Sequence, residues 1–229
     1  MLTHLLELRR RALYILYFFS ALFLIFFFMA GDFFHAVMSP LLSALPGQSE
    51  LIATQITSPI MTPLKLAADA ALLLSAPFAL FHLWRFISPG LHKNEQEQFR
   101  GAIFMSVLLF FAGLTFCFYL ILPFMFQFFS HALPRGVHFM PDMAYALDFI
   151  TRMLLLFGLV FQIPLITIVL VRLKTIEVAT LKKIRPYIIV GAFIVGMLLT
   201  PPDVFSQIML ALPLCILYEL GIILALCFA

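Results

Sequence analysis

Six apolar runs separated by polar segments leave this chain few ways to fold. Ala12 to Ala30 sets the pattern, with about 19 apolar or small residues in succession, enough to cross a hydrocarbon core of roughly 30 Å as a helix. Comparable runs cover 60–84, 101–126 and 146–171. Two shorter ones, 186–200 and 204–219, flank the turn Pro201-Pro202-Asp203. About 15 residues at ~1.5 Å each reach only ~22 Å, so the last two spans imply a locally thinned bilayer or burial against partners. Of the 229 residues 64% are hydrophobic and 11% charged, against roughly 45–50% and about 25% in soluble domains. The expected architecture is an all-α integral membrane protein. It forms a single domain over 1–229, with six transmembrane helices of which the last two are short.

The polar segments give the orientation. Arg9, Arg10 and Arg11 precede the first run; Arg85, Lys93 and Arg100 follow the second; Arg172, Lys174, Lys182, Lys183 and Arg185 follow the fourth. Eleven of the 14 lysines and arginines thus share one side, and the positive-inside rule puts both termini in the cytoplasm. Leu2 to Arg11 reads as a short amphipathic helix lying on the membrane before the first span, with Glu7 able to pair with Arg10 or Arg11. The first run is too long for a signal h-region and no small-x-small site closes it, so it is expected to stay as a span. Gly31 to Pro59 is long for a connection and holds an apolar stripe from Phe33 to Leu45, which suggests a small cap containing a surface helix. Pro63, Pro77 and Pro164 fall inside spans and should kink them.

Motifs for chemistry are missing. No HExxH, CxxC pair, GxSxG or P-loop string occurs. His131 and His138 share a connection without a third ligand, and Cys117, Cys215 and Cys227 stand apart in apolar sequence as small hydrophobes. No cofactor is expected and nothing suggests an enzyme. Few ionisable groups lie inside the runs. Asp148 and Arg152, four apart, are expected to pair with each other. Glu219 closes the sixth run, and Asp69 suits either a water-lined cavity or a helix contact. A small-solute secondary transporter is the main alternative class; it would account for Asp69, the kinked helices and Gln162, but should carry internal repeats, and none is evident.

The most abrupt change of character is Trp84 to Arg100, WRFISPGLHKNEQEQFR, where Pro89-Gly90 marks a turn and a fully polar stretch follows. Together with THLLELRRR, SPIMTPLK, SAPFALFHLWRFISPGLHKNE, LKKIRPYIIVGAFIVGMLLTPPDVFSQ and YELG, in this order, it resembles the TatC family, the multi-spanning subunit of the twin-arginine protein translocase. The resemblance implies six helices curved into a glove-like surface. It also implies binding of twin-arginine signal peptides and, with the single-span subunits TatB and TatA, export of folded proteins across the bacterial inner membrane. By position, Glu7, Arg9, Phe86 and Glu95 match residues tied to signal-peptide recognition. Met197, Thr200 and Gln207 match positions proposed to face the TatB or TatA helix, and Pro40 and Asp203 match an external-loop proline and the aspartate of the TPPD turn. Two departures stand out. Gln162 occupies the place of a glutamate in the family's FExP string, which removes a titratable group, and the sequence stops at Ala229 without the polar tail of many members.

The residues suit that task. A carboxylate can meet the planar fork of arginine with two hydrogen bonds, which lysine cannot reproduce. Exposed ion pairs contribute only about 0–1 kcal/mol, so discrimination needs a partly dry setting beside apolar residues such as Phe86 and Trp84. Ala192 and Gly196, four apart, permit close helix approach, either by a partner helix or within the bundle.

Overall fold

The computed structural model describes residues 2–44, 51–87, 93–132, 140–199 and 204–228. These form helices α1 (Leu2–Phe28), α2 (Ala30–Ala44), α3 (Ser58–Ile87) and α4 (Lys93–Phe116). A π-helical turn (Cys117–Ile121) then leads into α5 (Leu122–His131), followed by α6 (Met143–Val160), α7 (Ile163–Arg172), α8 (Val178–Leu199) and α9 (Val204–Phe228). No strand occurs among the described residues; a lone bridge joins Ile52 to Asp142. Five stretches are long and apolar enough to span: 6–28, 58–86, 101–131, 143–172 and 204–227. In α8 the apolar part begins only after Lys182, Lys183 and Arg185, leaving roughly 14 residues or ~20 Å. This is the short span expected at 186–200.

Four expectations change here, and a fifth, the kink at Pro164, changes below. The N-terminal segment is not a separate surface helix, because α1 runs unbroken from Leu2 to Phe28; nothing in ELRRRALY breaks a helix, so the arginines simply occupy its first turns. The polar stretch after Pro89-Gly90, which separates two apolar runs in the sequence, is from Lys93 to Arg100 already the start of α4. The last helix continues past Glu219 to Phe228, since Arg185 Nη2 on α8 donates to Glu219 Oε2 at 2.7 Å and neutralises the charge within the helix pair. Asp148 is ion-paired with Lys65 of α3 rather than with Arg152.

Contacts divide the chain into two compact units, 1–108 with 122–151 and 109–121 with 152–229. In the first, α1 packs antiparallel on α3, with the Phe18 and Phe78 rings 4.6 Å apart. Helix α2 lies against α5 and α3, burying Met38 and Leu41; it is the surface helix foreshadowed by the apolar stripe at 33–45. Trp84 is buried and its indole donates to Ser106 Oγ at 2.9 Å, joining α3 to α4. At the other end of α3 the segment after α2 is clipped to the start of α6: Ile52 N donates to Pro141 O and Met143 N to Ile52 O. Asp142 then caps α6, accepting from Ala144 N at 2.8 Å and Tyr145 N at 3.1 Å.

In the second unit two glycines allow close crossing. A Cβ on Gly113 would lie 2.5 Å from Phe157 O, and one on Gly158 would lie 2.6 Å from the Phe110 ring. Pro164 does not kink a continuous helix. It sits in the first turn of α7, where its missing N–H costs nothing, after a break at Phe161-Gln162. Helix α7 ends with Lys174 in the left-handed region (φ 53°), with Lys174 N bonded to Val171 O and Thr175 N to Leu170 O, a Schellman closure. Helix α9 packs on α7 and α8 around Leu181, Tyr218 and Ile222.

Candidate functional site

The antiparallel pairing of α1 and α3 decides which residues meet. The first turns of α1 come to rest beside the last turns of α3, so Glu7 and Phe86, 79 positions apart, share one end of the first unit. The residue that connects them is Arg11. Its Nη2 is ion-paired with Glu7 Oε1 one turn back, its Nη1 donates to His82 O at 2.9 Å, and its guanidinium carbon lies 5.7 Å from the centre of the Phe86 ring, within cation–π range. The Arg11 side chain is only 14% exposed while that of Glu7 is 38% exposed. The pair is therefore half-shielded, with Glu7 the more exposed of the two.

A pocket of about 300 Å³ opens here, lined by Glu7, Arg10, Arg11, Tyr14, His82 and Arg85. Arg10 Nε donates to the Tyr14 hydroxyl at 2.8 Å and stacks over that ring. His82 packs edge-on against Phe78, with ring centres 4.4 Å apart. The walls are thus aromatic and the charged groups mostly guanidinium, with a single carboxylate among the lining residues. Such a setting strengthens each charge-assisted bond relative to open water.

The remaining sequence candidates distribute as follows. Arg9 is exposed on α1, about 200° around the helix from Glu7, and does not line the pocket. Glu95 stands on the first turn of α4; its side chain, like Thr200, Asp203 and His138, lies outside the described residues. Met197 is 58% exposed on α8. Gln207 on α9 is half-buried and its Nε2 donates to Phe193 O at 2.8 Å, while a Cβ on Gly196 would lie 3.1 Å from Gln207 Cγ. With Ala192 and Gly196 both buried, the small-residue face of α8 is used against α9, the internal one of the two readings left open above. Pro40 is buried within α2. Gln162 is 3% exposed at the N-terminus of α7, and Asp69 is half-buried on α3.

The sequence offered Arg11, beside Arg10, as a partner for Glu7, and Arg11 is the one that pairs; it did not single out His82 or Tyr14. Helical spacing carried the signal, since Glu7, Arg11 and Tyr14, and likewise His82 and Phe86, recur every three or four residues and so share a face. No group of three potential metal ligands occurs among the described residues.

Known proteins resemble this chain closely. The family model of the Sec-independent protein translocase protein TatC matches residues 3–213. The TatC of Haemophilus influenzae is 40% identical over 225 residues, covering 98% of this chain and 88% of that one. That of Escherichia coli strain K12 is 40% identical over 222 residues, covering 97% and 86%. A crystal structure of the twin-arginine translocase receptor TatC superposes with a TM-score of 0.87 at 30% identity, covering 98% of this chain and 99% of the other. With a match over nearly the whole sequence, two relatives at this identity and an agreeing fold, the chain belongs to the TatC family of Sec-independent protein translocase proteins.

Proposed function

We propose that this chain is the signal-peptide receptor and core subunit of a translocase that carries folded proteins bearing twin-arginine signal peptides across the bacterial inner membrane. Its termini face the cytoplasm and its partners are the single-span subunits TatB and TatA. The observation that carries this reading is the meeting of Glu7 and Phe86 on one guanidinium, that of Arg11. A carboxylate and an aromatic face arranged around a guanidinium form a chemical template for arginine, and lysine, a point charge without the planar fork, fits it less well.

Glu95, on the first turn of α4, supplies a second carboxylate for the second arginine of the pair. Met197, together with the exposed Val190, Ile194 and Leu198 of α8, offers an apolar strip suited to a single-span partner. Family membership leaves the small-solute transporter alternative without support. Retention of the detergent-solubilised protein on an immobilised twin-arginine peptide, compared with a twin-lysine version of the same peptide, tests the reading. Selective retention by the arginine peptide is expected, and equal retention by both refutes it.

A further inference from the structure

We infer that Arg11 is a resident competitor for the recognition carboxylate and so sets the threshold that any incoming cation must exceed to bind there. The inference rests on the recognition role proposed for Glu7 and Phe86. Arg11 already holds both. One of its nitrogens is on Glu7 Oε1, the other is on the His82 carbonyl, and its guanidinium carbon is 5.7 Å from the centre of the Phe86 ring. The carboxylate a signal peptide would use is therefore occupied before any peptide arrives.

The manner of occupation decides who can displace it. Arg11 divides its two terminal nitrogens between Glu7 and His82, so it meets the carboxylate with one of them. An arriving guanidinium can place two parallel N–H groups on the same carboxylate and gains a bond over the resident. An arriving ammonium has three N–H donors but no planar fork, so it meets the carboxylate less favourably than a two-bond guanidinium does. Arg11 keeps its bond to His82 O throughout and needs only to release one contact. Arg10 and Arg85 on the same pocket wall add repulsion that every cationic ligand meets. The cost of displacing the resident is likewise common to both cations, so it lowers both apparent affinities by one factor and leaves their ratio to the fit of each head group on the carboxylate.

The test measures affinity of the full-length protein in detergent for a fluorescent twin-arginine peptide and its twin-lysine counterpart, in the wild type and in Glu7→Gln, Arg11→Gln and Arg11→Lys. Arg11→Gln is expected to bind the arginine peptide more tightly, by about tenfold, as for loss of one half-shielded charge-assisted bond. It should bind the lysine peptide more tightly by the same factor, so that the arginine-to-lysine ratio is unchanged. Arg11→Lys, which leaves a weaker resident and preserves the charge, should tighten both by less. It carries the test by itself if Arg11→Gln fails to elute as a monodisperse species. Weaker or unchanged binding of both peptides in the Arg11 variants overturns the inference while loss of binding in Glu7→Gln keeps the recognition site. Undiminished binding in Glu7→Gln instead overturns the recognition reading itself.

Discussion

Asp142 clips the segment after α2 to the head of α6, and replacing it should loosen the first unit measurably. Its Oδ1 accepts from Ala144 N and Tyr145 N, and its Oδ2 accepts from Thr54 N at 2.9 Å and Thr54 Oγ1 at 2.6 Å. Asp142→Ala removes the helix cap, at a cost of about 1 kcal/mol. It also removes two bonds to Thr54 that compete with water and so sit near the lower end of the usual range, about 0.5–1 kcal/mol each. The total is about 2–3 kcal/mol. For a chain of this length each kcal/mol moves Tm by roughly 2–4 °C, so a fall of roughly 4–12 °C is expected. Asp142→Asn keeps a good cap but presents an amide where Thr54 donates, and should lose about half as much. The assay is thermal unfolding followed by tryptophan fluorescence: the sequence has one tryptophan, Trp84, buried in the same unit. A change under about 1 °C for Asp142→Ala would refute the reasoning, since a single cap is worth more than that.

The same residue gives a pH signature. The hydrogen bond from the Thr54 hydroxyl first, joined by those from the Thr54, Tyr145 and Ala144 amides, pulls its carboxyl down to about 2 from the usual 3.8, against the opposing effect of burial. A depressed folded-state pKa means the stabilisation is complete above the unfolded value and is lost as pH falls through the folded one. The Tm gap between wild type and Asp142→Asn should thus be full at neutral pH and close between about pH 4 and pH 2. A gap that stays constant across that range contradicts the assignment.

Three further outcomes follow from the packing. Gly113→Ala puts a Cβ 2.5 Å from the Phe157 carbonyl oxygen, a backbone atom that cannot swing away, and should cost about 1–3 kcal/mol in thermal unfolding; a neutral result would mean the crossing is looser than described. Lys174→Gly relieves a left-handed residue at the Schellman position and should stabilise by up to about 1 kcal/mol, with a drop in Tm as the contrary result. Lys65→Met should destabilise more than the double variant Lys65→Met/Asp148→Leu, because the single change leaves a lone carboxylate facing apolar surroundings; a double variant no better than the single would argue that the pair is merely solvated.

Much of the fold was legible because hydropathy and charge act along the chain. The long spans, the surface helix α2 and the shortness of the apolar part of α8 all follow from run length and from where the cations fall. What escaped was tertiary. Asp148 has a helical neighbour of opposite charge in Arg152, but Lys65 reaches it from α3, and no local pattern reveals that. Glu219 looked like the end of a span because its neutralising partner, Arg185, is 34 residues away. Asp142 was readable in principle, as a capping residue just ahead of an apolar run. The site was half legible: position by position the family gave Glu7 and Phe86, and only the antiparallel packing of α1 on α3 explains why Arg11 stands between them.

The most direct test of the account is a cross-link. A photoactivatable phenylalanine analogue at position 86, at the Glu7 end of α3, and at Tyr145, exposed beside the Asp142 clip, is exposed to a labelled twin-arginine peptide in membranes containing the full chain. The account predicts a strong adduct at position 86, lost when the peptide arginines become lysines, and none at position 145. Equal labelling at both positions, or labelling at 86 that ignores the arginine-to-lysine change, would contradict it.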